Sequence, residues 1–151
     1  MEKGDILFVK FRYQEVNTLK ERPCLVLIVD KEENGGMYGV KITGTERKGR
    51  FNYPLDDWKS VGLRKPSYVI CNRIEYIGYD DIVKRRGTEE PYKIGHLKDT
   101  DYENIYGLCK EYVTELYKKS NRNDVKHNSL DESVEKMLNN LDAKENEKGR
   151  R

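Results

Sequence analysis

The stretch Arg22-Pro23-Cys24-Leu25-Val26-Leu27-Ile28-Val29-Asp30 decides the fold class. It is a nearly continuous apolar run, opened by a proline and closed by an aspartate. A strand with one wet face would alternate, whereas a run of this kind is typical of a central strand buried on both faces. Its neighbours read as further strands. Upstream, Ile6 to Phe11 forms a strand opened by Gly4-Asp5, and the polar stretch Arg12 to Glu21 reads as the loop between the two. Downstream, Asn34-Gly35-Gly36 is a strong hairpin signal. It leads into Met37 to Thr43, where Tyr38, Val40 and Ile42 alternate with Lys41 and Thr43.

The pattern continues to about residue 97. Gly44 to Gly49 is a basic turn, and Phe51 and Tyr53 alternate with polar neighbours up to Pro54. Leu55 to Pro66, with Trp58, is an irregular connection. Ser67 to Ile77 reads as a strand running into a bend, Tyr79 to Arg86 is ambiguous, and Pro91 to Leu97 fits a last short strand. From Asp99 to Lys118 the period changes. Tyr102, Ile105, Tyr106, Cys109, Tyr112, Val113, Leu116 and Tyr117 recur at three- and four-residue spacing, the single apolar stripe of a docked helix. Asp99, Thr100 and Asp101 suit its N-terminal end and Lys118-Lys119 its C-terminal end. Five or six short strands with one helix behind them predict a mostly β protein with α, a small barrel. Propensity alone does not choose between SH3-like and OB-type topology.

The expected organisation is a barrel domain with its closing helix over 1–119, a polar linker over 120–128, and a short amphipathic helix with a disordered tail over 129–151. Ser129-Leu130-Asp131-Glu132 matches a capping box, and Leu130, Val134, Met137, Leu138 and Leu141 follow at helical spacing. So short a helix needs an apolar partner to persist.

The chain has 151 residues, 36% hydrophobic and 37% charged, enough for one modest core. Eleven tyrosines supply much of the apolar area while keeping their hydroxyls wet. The net charge of +2 permits nucleic-acid binding without arguing for it, so any such site must come from local clustering. Cys24, Cys71 and Cys109 are far apart, lack Cys-x-x-Cys pairing and sit in apolar runs, which reads as three small buried hydrophobes in a reducing cytosol. The first residues lack the apolar core of a signal segment, and no stretch approaches the roughly 18 apolar residues of a membrane span. A cytoplasmic protein without a membrane partner is expected. His96 and His127 belong to no cluster with ligand spacing, so neither a metal site nor a cofactor is expected. There is no phosphate-cradling glycine loop and no Ser-His-Asp arrangement.

Several segments, in order, carry a likeness. Gly4-Asp5-Ile6-Leu7-Phe8-Val9-Lys10-Phe11, a polar loop, and Glu21-Arg22-Pro23-Cys24-Leu25-Val26-Leu27 resemble the opening of MazF/PemK toxins, in which a strand begins after Gly-Asp and an Arg-Pro starts the second strand. Tyr38 to Thr43 resembles that family's third strand. Leu63-Arg64-Lys65-Pro66-Ser67-Tyr68-Val69 resembles the entry to a later strand. Ile94-Gly95-His96-Leu97 before the Asp99 helix resembles its close. The likeness spans roughly residues 4 to 118. It implies an SH3-like barrel, a homodimer, a sequence-preferring endoribonuclease and inhibition by a small antitoxin. The family's catalytic Arg falls on Arg22 and its catalytic Thr on Thr43, with Thr45 as a register alternative. The turn Gly44 to Arg50 is more basic than the family's, and the chain runs about thirty residues past the usual end. The rival reading is a non-catalytic barrel that binds RNA, DNA or a protein partner.

The residue types suit the implied chemistry. RNA carries its own nucleophile, the 2′-hydroxyl, so a protein that cuts it without a metal must position the backbone and stabilise the pentacoordinate phosphorane. Arg22 offers a permanently charged two-pronged donor for phosphoryl oxygens, and for the same reason is a poor base. Thr43 can donate one hydrogen bond. Arg12 and Lys20 at the first loop, with Thr45, Arg47, Lys48 and Arg50 on the basic turn, are candidate RNA contacts.

Overall fold

The computed structural model describes residues 1–13, 18–31 and 35–122, of which 12–13, 18–19 and 120–122 are described as backbone only. Six strands form one antiparallel sheet: β1 (Asp5–Tyr13), β2 (Thr18–Val29), β3 (Met37–Thr43), β4 (Asn52–Leu55), β5 (Ser67–Ile77) and β6 (Lys93–His96). Their order is β4-β5-β3-β2-β1-β6, and the sheet curls into a half-barrel closed by helix α1 (Asp99–Arg122).

β2 is buried on both faces, as its unbroken apolar run predicts. Leu25 and Leu27 enter one cluster with Val40, Ile42, Val69 and Cys71 of the sheet and Tyr102, Ile105, Cys109 and Val113 of α1. Cys24 and Val26 enter a second cluster on the opposite face, with Leu7, Val9, Phe11, Met37, Ile77 and Ile82. The helix covers the first cluster. The segment after β5 covers the second: a 3-10 turn at Tyr79–Asp81 is followed by Ile82 bridging to Val9, and the Val83 amide donates to the Phe8 carbonyl at 2.9 Å. The ambiguous stretch at 79–86 is thus a lid over apolar sheet rather than a regular element.

Bulges bend the sheet. Between the pairs Val26–Gly39 and Ile28–Tyr38, β2 carries the extra residue Leu27. The Leu27 carbonyl instead accepts the buried Tyr102 hydroxyl at 2.7 Å, so the helix satisfies what the bulge leaves over. A second irregularity separates Val40–Ile74 from Ile42–Val69. At the far edge Gly95 lies against the 55–63 connection, where a Cβ would stand 2.1 Å from the Val61 carbonyl oxygen. No residue with a side chain fits there without moving backbone.

Two expectations are corrected. The polar stretch from Arg12 to Glu21 is largely hairpin: β1 continues to Tyr13, β2 begins at Thr18, and Phe11 pairs with Lys20. Ladder bonds are made by backbone, so pairing outlasts the apolar side chains that predicted it. The helix likewise runs to Arg122, past its last apolar residue and into the expected linker, because no proline or glycine stops it. The remainder of that linker, the expected helix at 129–141 and its tail lie outside the described residues. So do the tip of the β1–β2 hairpin and Asn34.

Candidate active site

The β2–β3 ladder runs from Val29–Met37 to Cys24–Lys41. Two positions further along each strand stand Arg22 and Thr43. Side chains alternate along a strand, so both fall on the face of Cys24 and Lys41. Val9, which pairs directly with Arg22 from the other side, belongs to the buried cluster of that face. Thr43 pairs in turn with Tyr68 of β5. Tyr68, Thr43 and Arg22 therefore stand on three adjacent strands where the apolar cluster gives way to solvent. Lys20, opposite Phe11 of the same cluster, is exposed two positions beyond Arg22.

The local bonding of the two central residues is simple. Arg22 is exposed, and its Nη1 donates to the Glu21 carbonyl at 3.3 Å. Among the described residues no carboxylate pairs with it, so its fork is presented to solvent. Thr43 is half-buried, and its Oγ1 accepts the Thr45 amide at 3.1 Å. That bond uses a lone pair, leaving the hydroxyl hydrogen to donate outward. Lys41, on the same face, pairs with Glu75 at 3.2 Å and lies 4.7 Å over the Phe11 ring.

The basic turn divides. Arg47 donates from Nε to Asn52 Oδ1 at 3.2 Å, while Asn52 donates from Nδ2 to the Lys48 carbonyl at 2.7 Å. Asn52 thus shapes the turn, and Thr45 and Lys48 are exposed on it. Arg50 is turned the other way. It pairs with Glu111 and with Glu115 at 2.9 Å on α1, and lies 5.0 Å over the Phe51 ring. Its charge is engaged on the helix side, opposite the Arg22–Thr43 face, where it holds the turn to the helix. Arg12 has only its backbone among the described residues.

Sequence reasoning missed Tyr68, the Lys41–Glu75 pair and Lys65, which lies across Gly44 at the end of β3. Their proximity to Thr43 follows from the register of β3 on β5, which contains an irregularity that alternation alone does not reveal.

Other reactive groups are held elsewhere. Burial pushes the Cys24 thiol up, and a bond to Cys71 together with burial does the same for Cys109; neither thiol is available as a thiolate. Glu2, Asp5 and His96 bring ligand-type atoms within 4.8 Å of one another, the one such trio among the described residues. Asp5 is already engaged. It accepts the Glu2 amide at 2.8 Å, meets His96 Nδ1 at 2.8 Å and pairs with the Lys93 ammonium at 3.1 Å. Burial raises its pKa, but the His96 bond, the Glu2 amide and Lys93 outweigh that and hold the carboxyl below its usual value. These contacts tie the start of β1 to β6. A neighbouring cavity of about 730 Å³, lined by Met1, Asp5, Arg85, Tyr92 and Lys93 among others, contains none of the candidate site residues.

Comparison with known proteins identifies the family and the fold. The profile of the PemK-like, MazF-like toxins of type II toxin-antitoxin systems matches residues 2–109. A search of curated proteins finds no match. Among solved structures, the Mycobacterium tuberculosis toxin MazF-mt6 superposes with a TM-score of 0.56 at 20% identity, over 73% of this chain and 96% of that toxin. The MazE-MazF structure from Deinococcus radiodurans gives 0.53 at 15% identity, over 74% of this chain and 92% of its own. At these identities the two likenesses bear on the fold alone. The profile match covers all six strands and the first half of α1, and the chain belongs to the PemK-like, MazF-like toxin family of type II toxin-antitoxin systems.

Proposed function

We propose that this toxin is a sequence-preferring, metal-independent endoribonuclease that cuts single-stranded RNA at the Arg22–Thr43 face. The observation that supports the reading is the register of β2 on β3, which puts Arg22 and Thr43 on one face, with the Thr43 hydroxyl oxygen accepting the Thr45 amide. The RNA 2′-oxygen attacks the adjacent phosphorus, and the bond from phosphorus to the 5′-oxygen breaks. The 2′-hydroxyl loses its proton and the departing 5′-oxygen gains one. The products are a 2′,3′-cyclic phosphate and a 5′-hydroxyl. Arg22 forks onto two phosphoryl oxygens as charge grows on them, and Thr43 donates to one of these. The substrate brings its own nucleophile, so the protein needs to supply charge and orientation rather than a metal-activated water.

Lys20, Thr45, Arg47 and Lys48, with Arg12, then hold the RNA backbone on either side, while Arg50 steadies the turn from the helix side. An RNA substrate implies action in the cytoplasm. The MazE-MazF complex from Deinococcus radiodurans supports a small antitoxin partner, and the family supports a homodimer.

The test is single-turnover cleavage of a long RNA with analysis of both new ends. Cleavage should persist in excess chelator and leave cyclic phosphate. Thr43→Val should slow it about 3–10-fold, the range for one neutral hydrogen bond. Complete loss in chelator, or 3′-hydroxyl ends, refutes the mechanism.

A further inference from the structure

Gly44 follows Thr43 at the end of β3, and its glycine identity is not explained by its backbone. It is absent from the described glycines with positive φ, which are Gly4, Gly35, Gly49, Gly62 and Gly87. Space explains it. A Cβ at position 44 would stand 2.0 Å from Lys65 Cε and 3.0 Å from both Lys65 Cδ and Nζ. The lysine stem thus lies across the glycine, and its ammonium rests beside the residue that follows Thr43.

Lys65 is also anchored at its root. Its carbonyl accepts the Ser67 hydroxyl at 2.8 Å, Ser67 is buried at the start of β5, and Pro66 between them fixes one backbone angle. Lys65 is exposed, and among the described residues no carboxylate pairs with it. Two other cations near the sheet are occupied differently: Lys41 by Glu75, Arg50 by two helix carboxylates. A lysine whose root is fixed, whose stem has a slot made by a missing side chain, and whose charge is left open is arranged to meet an anion.

We propose that Lys65 is a phosphate-contacting residue of the RNA site, and that position 44 is glycine so that Lys65 can lie across it. The inference rests on the RNA reading of the Arg22–Thr43 face. Lys65 stands at the end of the strand that carries Thr43, on the side to which position 44 faces, so it meets the RNA backbone at the rim of the site rather than the reacting phosphate. It contributes to holding RNA more than to the bond-breaking step. A compact ammonium serves a single phosphate as a point charge, whereas the reacting phosphorane needs the two-pronged fork of Arg22.

The probe is a mixed-sequence, fully 2′-O-methylated single-stranded RNA, which cannot be cleaved because the attacking hydroxyl is blocked. Its affinity for the full chain is measured over a salt series. Lys65→Ala should bind about tenfold more weakly at low salt, with the slope of log affinity against log salt reduced by about 0.7, the value for one phosphate contact on a single strand. Lys65→Arg should restore most of both. Gly44→Ala, which pushes only the flexible end of a side chain, should fold normally and reproduce part of the loss.

Wild-type affinity and slope in Lys65→Ala would overturn the proposal. Wild-type behaviour in Gly44→Ala would overturn its second half. If wild-type protein binds the probe through Lys65 but cuts no RNA, the endoribonuclease reading fails and the phosphate contact stands. If Arg22→Ala abolishes cleavage while Lys65→Ala leaves binding unchanged, the reverse holds. A wild-type protein that does not bind the probe at all overturns the contact.

Discussion

Arg22→Ala should slow single-turnover RNA cleavage by roughly 10²–10³-fold, the usual loss when one transition-state donor is removed. The expectation rests on position and on freedom. Arg22 stands opposite Val9 at the rim of a buried cluster, so the strand beneath it is held rigidly, while among the described residues its guanidinium meets only the Glu21 carbonyl. Nothing in the fold depends on its charge, and the alanine protein should match wild type in stability to within about 0.5 kcal/mol, as surface substitutions do. Arg22→Lys should recover little, because an ammonium keeps the charge but loses the fork. Binding of an uncleavable RNA should weaken far less than the rate, since Arg22 is one of several phosphate contacts. Full activity in Arg22→Ala would remove this residue from the mechanism.

Asp5→Asn should destabilise the protein by about 2–3 kcal/mol at neutral pH, the scale of charged hydrogen bonds lost in a buried place. The carboxylate is 2% exposed and joins the Glu2 amide, His96 and Lys93, so it ties the first strand to the last. Its pKa is lowered in the folded protein. A depressed carboxyl stabilises the fold above its unfolded pKa of about 3.9, and that contribution is lost as pH falls through the folded value. Urea unfolding at a series of pH values should therefore show the wild-type advantage shrinking below about pH 4. Equal stability of the two proteins at pH 7 would mean that the contacts contribute nothing net.

Much of this was legible in the residues. Cys24 to Val29 announced a strand buried on both sides because each side chain had to be apolar, and the stripe from Tyr102 to Tyr117 announced the face that α1 buries. The hairpin between β1 and β2 was hidden because its outer pairs are polar and held by backbone alone. At the site, Arg22 and Thr43 could be singled out by their likeness to a family. Lys65 could not: its place depends on an irregular β3–β5 register and on how its stem lies across Gly44, and a sequence displays neither. Arg50 shows the converse. A cluster of basic letters cannot reveal that one of them turns to two glutamates 61 and 65 residues away on a helix.

The bond from the Tyr102 hydroxyl to the Leu27 carbonyl joins positions 75 residues apart. It gives the order of synthesis a meaning. Arg22 and Thr43 leave the ribosome early, yet β2 keeps a polar group unsatisfied at its bulge, and the Leu25–Leu27 face stays uncovered, until α1 has also emerged. A nascent chain that ends before Asp99 carries both residues but not the frame that holds them. The proposed cleavage would thus be withheld from incomplete chains by the fold itself. Ribosome-stalled chains ending at 98 should be readily digested by protease, and those ending well beyond 122 should resist; resistance at 98 would show that the sheet stands without its helix.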